Sequence, residues 1–218
     1  MHGAPTTRQR TLEGAALGFL GVAIFSFTFP ATKFALHGYS PWFIAFGRAV
    51  VAAACAIPML WLRKTRRPTR TETARLAMTA GGIVVGFPVL SALALERVGS
   101  AHGAIVIALL PAATSIFAVV RAHERPGPVF WLASLAGVAI VTAFAVEQAG
   151  GGLSLGDGYL LIAVAVCGLG YAEGAAIART LGALETIGWA LVVSLPVTVV
   201  VAACTLPATM PGAKATFG

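Results

Sequence analysis

The chain has 218 residues, of which 58% are hydrophobic and only 11% are charged. A soluble domain usually carries about 25% charged residues, so this composition excludes an ordinary water-soluble protein. A net charge of +7 would suit a nucleic-acid-binding protein, but the basic residues lie in short loops between apolar runs. Basic loops of that kind are typical of segments that face an anionic lipid surface. The expected partner is therefore the lipid bilayer, and nucleic acid is not an expected partner.

Seven apolar stretches each approach the length of about 20 residues that a helix needs to cross a bilayer. All seven are predicted to be helical, because an open strand in lipid would leave backbone groups unpaired. The fold class is therefore an all-α integral membrane bundle. In chain order, the predicted spans 1 to 7 cover residues 14–36, 42–62, 76–95, 101–120, 128–146, 159–178 and 186–206.

The Lys and Arg residues lie mainly on one side of the predicted membrane. The opposite side holds only Arg97 and Lys214. Because cytoplasmic loops carry the excess of Lys and Arg, residues 1–13 are predicted to form a cytoplasmic tail at the inner (plasma) membrane. The basic residues before span 1 and after spans 2, 4 and 6 are Arg8, Arg10, Arg63, Lys64, Arg66, Arg67, Arg70, Arg75, Arg121, Arg125 and Arg179.

A weak internal repeat divides the chain. Span 1 and span 6 each carry an aromatic and small residues in mid-helix, and each is followed by a glycine, Gly38 or Gly182. A unit of five spans is odd, so a second copy enters the membrane from the other side, and the loop charges invert accordingly. The pattern predicts an inverted repeat: a first copy at 14–146, an outer linker at 147–158 and an incomplete second copy at 159–218.

Several motifs in these segments resemble the EamA family of the drug/metabolite transporter superfamily. They are FSFTFPATKFAL and SPWFIAFGRAVVAA in spans 1 and 2, ALERVGSAHGAIVIALLPAATSIFAVV across spans 3 and 4, and HERPGPVFWLASLAGVAIVTAF leading into span 5. The second unit starts at GDGYLLIAVAVCGLGYAEGAAIAR. The most specific elements are Arg48, Pro111 and Glu124.

The resemblance implies a ten-helix exporter of small metabolites such as amino acids, which alternates access between two inverted units. The predicted spans end with the seventh. An inactive fragment or a non-transporting membrane scaffold therefore stays open as the alternative. A small-molecule substrate is the expected partner, and a homodimer also stays open.

Polar and helix-breaking residues inside span 1 are candidates for the substrate pathway. Ser26, Pro30 and Lys33 recur at helical spacing, and Pro30 removes a backbone donor, which predicts a kink. Lys33 is either a charge at the outer mouth of the pathway or an interfacial lysine that snorkels to the surface. In span 2, Arg48 lies about 9 Å below the outer boundary and is predicted to face the interior of the bundle.

Glu173 in span 6 is the ionisable group predicted to lie deepest on the inner side, with Tyr171 beside it. A carboxylate at this depth is expensive to insert, so it is expected to bind a cationic substrate group or to carry a proton. The alternative is a structural ion pair with Arg179 or a loop donor. A direct pair with Arg48 is not assumed, because the two residues are about 12 Å apart along the membrane normal.

Other residues are expected to be structural. Two small-xxx-small pairs, Gly82 with Gly86 and Gly170 with Gly174, predict close helix packing. Pro111 interrupts the middle of span 4, and Glu124 is expected to form an ion-paired turn before span 5. The cysteines match no metal spacing, and no catalytic or nucleotide-binding motif is present. The sequence therefore predicts no enzyme activity, no cofactor and no metal site.

Overall fold

The protein is described by a computed structural model in residues 7–122, 126–148 and 154–207. All the regular secondary structure in these ranges is helical. Six of the seven predicted spans are long and apolar enough to cross a membrane, and the apolar part of span 5, Pro128–Phe144, is shorter. The prediction of an all-α membrane bundle is therefore confirmed.

Each span consists of one to three helical segments. Span 1 comprises Thr7–Ser26 and Thr28–Ala35. Span 2 is Pro41–Leu62, and span 3 comprises Arg70–Thr79, the π-helical segment Ala80–Gly86 and Phe87–Leu95. Span 4 comprises Ser100–Ile107 and Leu110–Ala122, and spans 5, 6 and 7 are Pro128–Gln148, Leu155–Leu181 and Ala183–Cys204.

Spans 1, 3 and 4 are irregular in mid-membrane, whereas spans 2, 6 and 7 are continuous helices. In each irregular span a proline follows the irregularity: Pro30, Pro88 and Pro111. Proline has no backbone N–H, and its ring crowds the turn before it. The predicted kink in span 1 is thus present as a break at Phe27. Proline does not break every helix, because Pro58 lies inside the continuous span 2.

Spans 3, 4 and 6 pack closely because glycines face one another at the contact. A Cβ atom added to Gly82 would lie 2.9 Å from the Cα atom of Gly170, and one added to Gly168 would lie 3.0 Å from the backbone of Ala113. Helices in lipid gain stability mainly from such close packing, which small residues allow. These contacts fix span 6 against the irregular spans 3 and 4.

Spans 2 and 7 lie against each other in opposite directions. The beginning of span 7 contacts the end of span 2, since a Cβ atom on Gly188 would lie 3.1 Å from Leu60 Cδ2. The end of span 7 contacts the beginning of span 2, where Ala202 packs with Ala45 and Phe46. The short connection between spans 6 and 7 depends on Gly182, whose φ of +95° is accessible mainly to glycine.

Polar contacts at the helix ends agree with alternating helix directions. We call the end of the bundle with the Arg63–Arg70 loop the basic side and the other end the opposite side. On the basic side, Arg63 Nη1 lies 3.0 Å from Glu185 Oε1 and links spans 2 and 7. On the opposite side, His102 Nε2 lies 2.5 Å from Asp157 Oδ1 and links spans 4 and 6.

Candidate functional site

A small cavity lies between the broken spans 1 and 4. Its volume is about 150 Å³, and it is lined by Phe25, Ser26, Phe29, Ala104 and Ile107. The ring of Phe87 in span 3 stacks on two of the lining rings, with centroid distances of 6.4 Å to both Phe25 and Phe29. The cavity therefore has largely apolar walls contributed by spans 1 and 4, and a ring of span 3 packs against its two phenylalanines.

In two lining residues of this cavity, Ser26 and Ile107, the backbone carbonyl lacks the N–H donor that a regular helix would supply. Pro30 has no N–H to donate to the carbonyl of Ser26, and Pro111 has none for the carbonyl of Ile107. The hydroxyl proton of Ser26 is already donated, because Ser26 Oγ lies 2.6 Å from the carbonyl oxygen of Ala23. The polar groups of these two residues are therefore hydrogen-bond acceptors and not donors.

Lys33 lies on the opposite side, near the end of span 1. Its ammonium group donates hydrogen bonds to the carbonyl oxygens of Leu95 and Val98 at the end of span 3. Free carbonyls at a helix end are stabilised by such a cation. Lys33 also lines a cavity of about 310 Å³ with Leu36, His37, Leu95 and Glu96. The lysine thus closes a contact between spans 1 and 3 at one mouth of the bundle.

Glu173 is enclosed near the basic side and is paired with arginines from two other spans. Only 3% of the residue is exposed. Arg121 Nε donates a hydrogen bond of 2.6 Å to Glu173 Oε1, and Arg75 Nε lies 4.0 Å from Oε2. The cluster joins the start of span 3, the end of span 4 and span 6. It therefore holds three helices together at the end of the bundle remote from Lys33.

Arg48 does not face the interior, contrary to the expectation from the sequence. It is exposed on span 2, and it makes no hydrogen bond or ion pair with the residues that the structure describes. The reason is that span 2 buries another face, on which small residues such as Ala45, Ala49 and Ala53 lie together with Phe46 and Leu60. Arg48 and Glu173 are not brought together, and Tyr171 is 38% exposed.

Five of the six residues that were expected to be structural lie within the described part of the chain. Gly82 lies against Gly170, and Gly174 lies against Thr79, where an added Cβ atom would be 3.2 Å from the threonine Cγ2. A Cβ atom on Gly86 would lie 3.0 Å from the Val166 side chain. Pro111 is the second residue after the break in span 4. Glu124 lies outside the described residues, so its ion-paired turn stays a prediction.

The sequence did not identify three features of the site. These are the identity of the arginines that pair with Glu173, the pairing of His102 with Asp157, and the π-helical segment of span 3. For Glu173 an ion pair with Arg179 or a loop donor had been expected as the alternative. The signal available for the first feature was that Glu173, Arg75 and Arg121 were all predicted at the same side of the membrane. No comparable signal marked the π-helical segment. Within the described ranges no cluster of three or more His, Cys, Asp or Glu residues could hold a metal.

Comparison with known proteins gives the family. The profile of the EamA-like transporter family matches residues 12–145. The chain is also 47% identical over 188 residues to "Uncharacterized transporter YdeK" of Bacillus subtilis (strain 168), an alignment that covers 86% of this chain and 66% of the relative. No solved structure matches the chain. The chain is therefore a multi-pass membrane protein that belongs to the EamA-like transporter family.

Proposed function

We propose that this protein belongs to the machinery that exports small metabolites, such as amino acids, across the inner membrane by alternating access between two inverted repeats. The observation that carries the proposal is the antiparallel contact between spans 2 and 7. In an inverted repeat of five spans, these are equivalent helices. A twofold axis in the membrane plane makes equivalent helices antiparallel, and in such folds the substrate lies between the two repeats.

The irregular spans give the substrate a place near the middle of the membrane. Ser26 lies nine residues before Ala35, which corresponds to about 14 Å along the helix. Ile107 lies seven residues after Ser100, or about 10 Å. The hydrocarbon core is about 30 Å thick, so both positions are well inside it. Interrupted helices at this depth are typical of transporter binding sites.

Charged contacts at the two ends of the bundle would serve as closures. Alternating access requires that one mouth is closed while the other is open. The Glu173–Arg121–Arg75 cluster would close the basic side, which we assign to the cytoplasm, and the Lys33 contact would close the opposite side. Because two guanidinium groups already face Glu173, a closing contact fits this residue better than a freely exchanging proton carrier.

The proposal is tested by transport measurements on the protein expressed from its complete reading frame and reconstituted into liposomes. We expect counterflow of at least one amino acid in a panel. We also expect a single cysteine at position 68 to be labelled only from the cytoplasm.

The proposed closure is tested with a cysteine at position 26 in a background without native cysteines. This cysteine should become more reactive from the cytoplasmic side when Arg121→Ala opens the closure. Arg63→Ala, at the more exposed pair with Glu185 on the same side, is the matched charge control. Absence of flux for the whole panel, or labelling of position 68 from outside, would contradict the proposal.

A further inference from the structure

The cavity between spans 1 and 4 has a chemistry more specific than that of an apolar pocket. Phe25 and Phe29 line it, and the ring of Phe87 stacks on both of their rings. The face of an aromatic ring carries negative partial charge and attracts cations. Ser26 and Ile107 also line it, and their carbonyl groups lack the usual helical donors because Pro30 and Pro111 have no backbone N–H.

All the polar groups identified at this cavity are therefore acceptors. The ligand that fits them carries several N–H donors and a positive charge on an apolar body. A ligand whose only charged group is anionic would be repelled by the carbonyl oxygens and by the rings, whereas an amino acid still presents an ammonium group to them. At this depth a lipid head group does not reach the cavity, because Ser26 lies about 14 Å from the end of span 1.

We infer that this cavity binds the ammonium group of a small organic amine, with the carbonyls of Ser26 and Ile107 as acceptors and the rings of Phe25 and Phe29 around the cation. The inference rests on the proposed transport function and names the substrate class of the same pathway. The two prolines act by withholding a donor from each carbonyl, so their contribution to the site is chemical as well as geometric.

The test compares three probes that share one ring and differ in the head group: benzylammonium, benzyl alcohol and benzoate. Binding to the purified full-length protein is measured by calorimetry in detergent. We expect the order of affinity benzylammonium, then benzyl alcohol, then no detectable binding of benzoate. Binding of benzoate or benzyl alcohol as tight as that of benzylammonium would overturn the inference.

Two variants examine the carbonyls and the cavity separately. Pro111→Ala restores an N–H that can occupy the carbonyl of Ile107, and we expect about tenfold weaker binding of benzylammonium, with little change for benzyl alcohol. Pro58→Ala in span 2 is its control. Ala104→Phe fills the cavity and should abolish binding, whereas Ala133→Phe on exposed span 5 should not. Unchanged benzylammonium affinity in Pro111→Ala or Ala104→Phe would overturn the inference.

Transport and binding fail in distinguishable ways. If Ala104→Phe abolishes benzylammonium binding and amine flux together, the inference holds. If it abolishes binding while flux of the transported metabolite continues, the cavity is not the substrate site and the inference fails, although alternating access stands. If binding has the expected head-group order but no flux is found for any substrate, the site is supported and the transport proposal fails.

Discussion

Span 1 and span 6 occupy equivalent positions in the proposed repeat, but they have different structures. Span 6 is one continuous helix, and 50% of its most apolar 18-residue stretch is buried. Span 1 is broken at Phe27, and only 6% of its corresponding stretch is buried. Pro30 lies eight residues before Gly38, and Gly174 lies eight residues before Gly182. In the proposed repeat, the same place thus holds a helix-breaking residue in one copy and a close-packing residue in the other.

The difference shows how one helical unit can serve two tasks. In span 6, glycines bring the backbone against spans 3 and 4, and the buried Glu173 adds an ion pair with the half-exposed Arg121. In span 1, Pro30 removes a backbone bond, and few side chains pack around the break. Packing and local regularity therefore make span 6 the fixed element. Span 1 would have fewer contacts to lose in the proposed transport cycle.

The largest effect on the free energy of unfolding is expected when a helix-breaking proline is introduced into span 6. Gly174→Pro would remove the donor for the carbonyl of Gly170, at the point where that residue contacts Gly82. We expect a loss of about 3 kcal/mol or more in the free energy of unfolding. Chemical unfolding in detergent, followed by the fluorescence of the native tryptophans, measures it. Gly174→Ala is the control, because its Cβ atom would be 3.2 Å from the Thr79 side chain. Equal stability of the proline and alanine variants would contradict the comparison.

The next effect is expected at the ion pair that fixes span 6. Arg121→Ala leaves the enclosed carboxylate of Glu173 with only Arg75 at 4.0 Å, and we expect a loss of about 2 kcal/mol. Glu173→Gln in the same background should recover part of it, since the unpaired charge is then gone. A double-mutant cycle of unfolding free energies measures the coupling between the two residues. Additive effects would show that the pair does not stabilise the fold. Arg63→Ala, at a more exposed pair, should change much less.

The helices and their alternation follow from local properties of the sequence. Apolar runs of spanning length, such as that of span 2, define a helix without reference to the rest of the chain. The break in span 1 was predictable for the same reason, because Pro30 acts on its own turn. The glycine spacing in spans 3 and 6 indicated close contacts, although it did not identify which glycines would meet.

The charged contacts depend on long-range geometry and were not predictable in the same way. Arg121 is 52 residues from Glu173 in the sequence, and depth along the membrane normal does not determine which helices are neighbours. Arg48 shows the same limitation. Its depth suggested an interior position, but the rotation of span 2 is set by the small residues that contact span 7. Helix rotation was the quantity that the pattern of this span could not provide.

A smaller effect is expected at the contact between spans 1 and 3. Lys33→Met keeps the length of the side chain but removes the donors to the carbonyls of Leu95 and Val98. We expect a loss of about 1 kcal/mol in the free energy of unfolding, with Lys33→Arg close to the parent protein. The same unfolding titration serves as the measurement. If Lys33→Met is as stable as the parent and exports substrate at the same rate, the lysine is only a snorkelling side chain.

The smallest change in stability is expected when the helix-breaking Pro30 is removed from span 1. Pro30→Ala supplies an N–H for the carbonyl of Ser26, and we expect a gain of no more than about 1 kcal/mol, because the break costs little where few side chains pack. The effect on function should be much larger, since a continuous span 1 loses the break and one acceptor of the proposed substrate cavity. Distances between spin labels at positions 18 and 35 report whether the helix has become continuous. A continuous helix with an unchanged export rate would show that the break in span 1 has no part in transport.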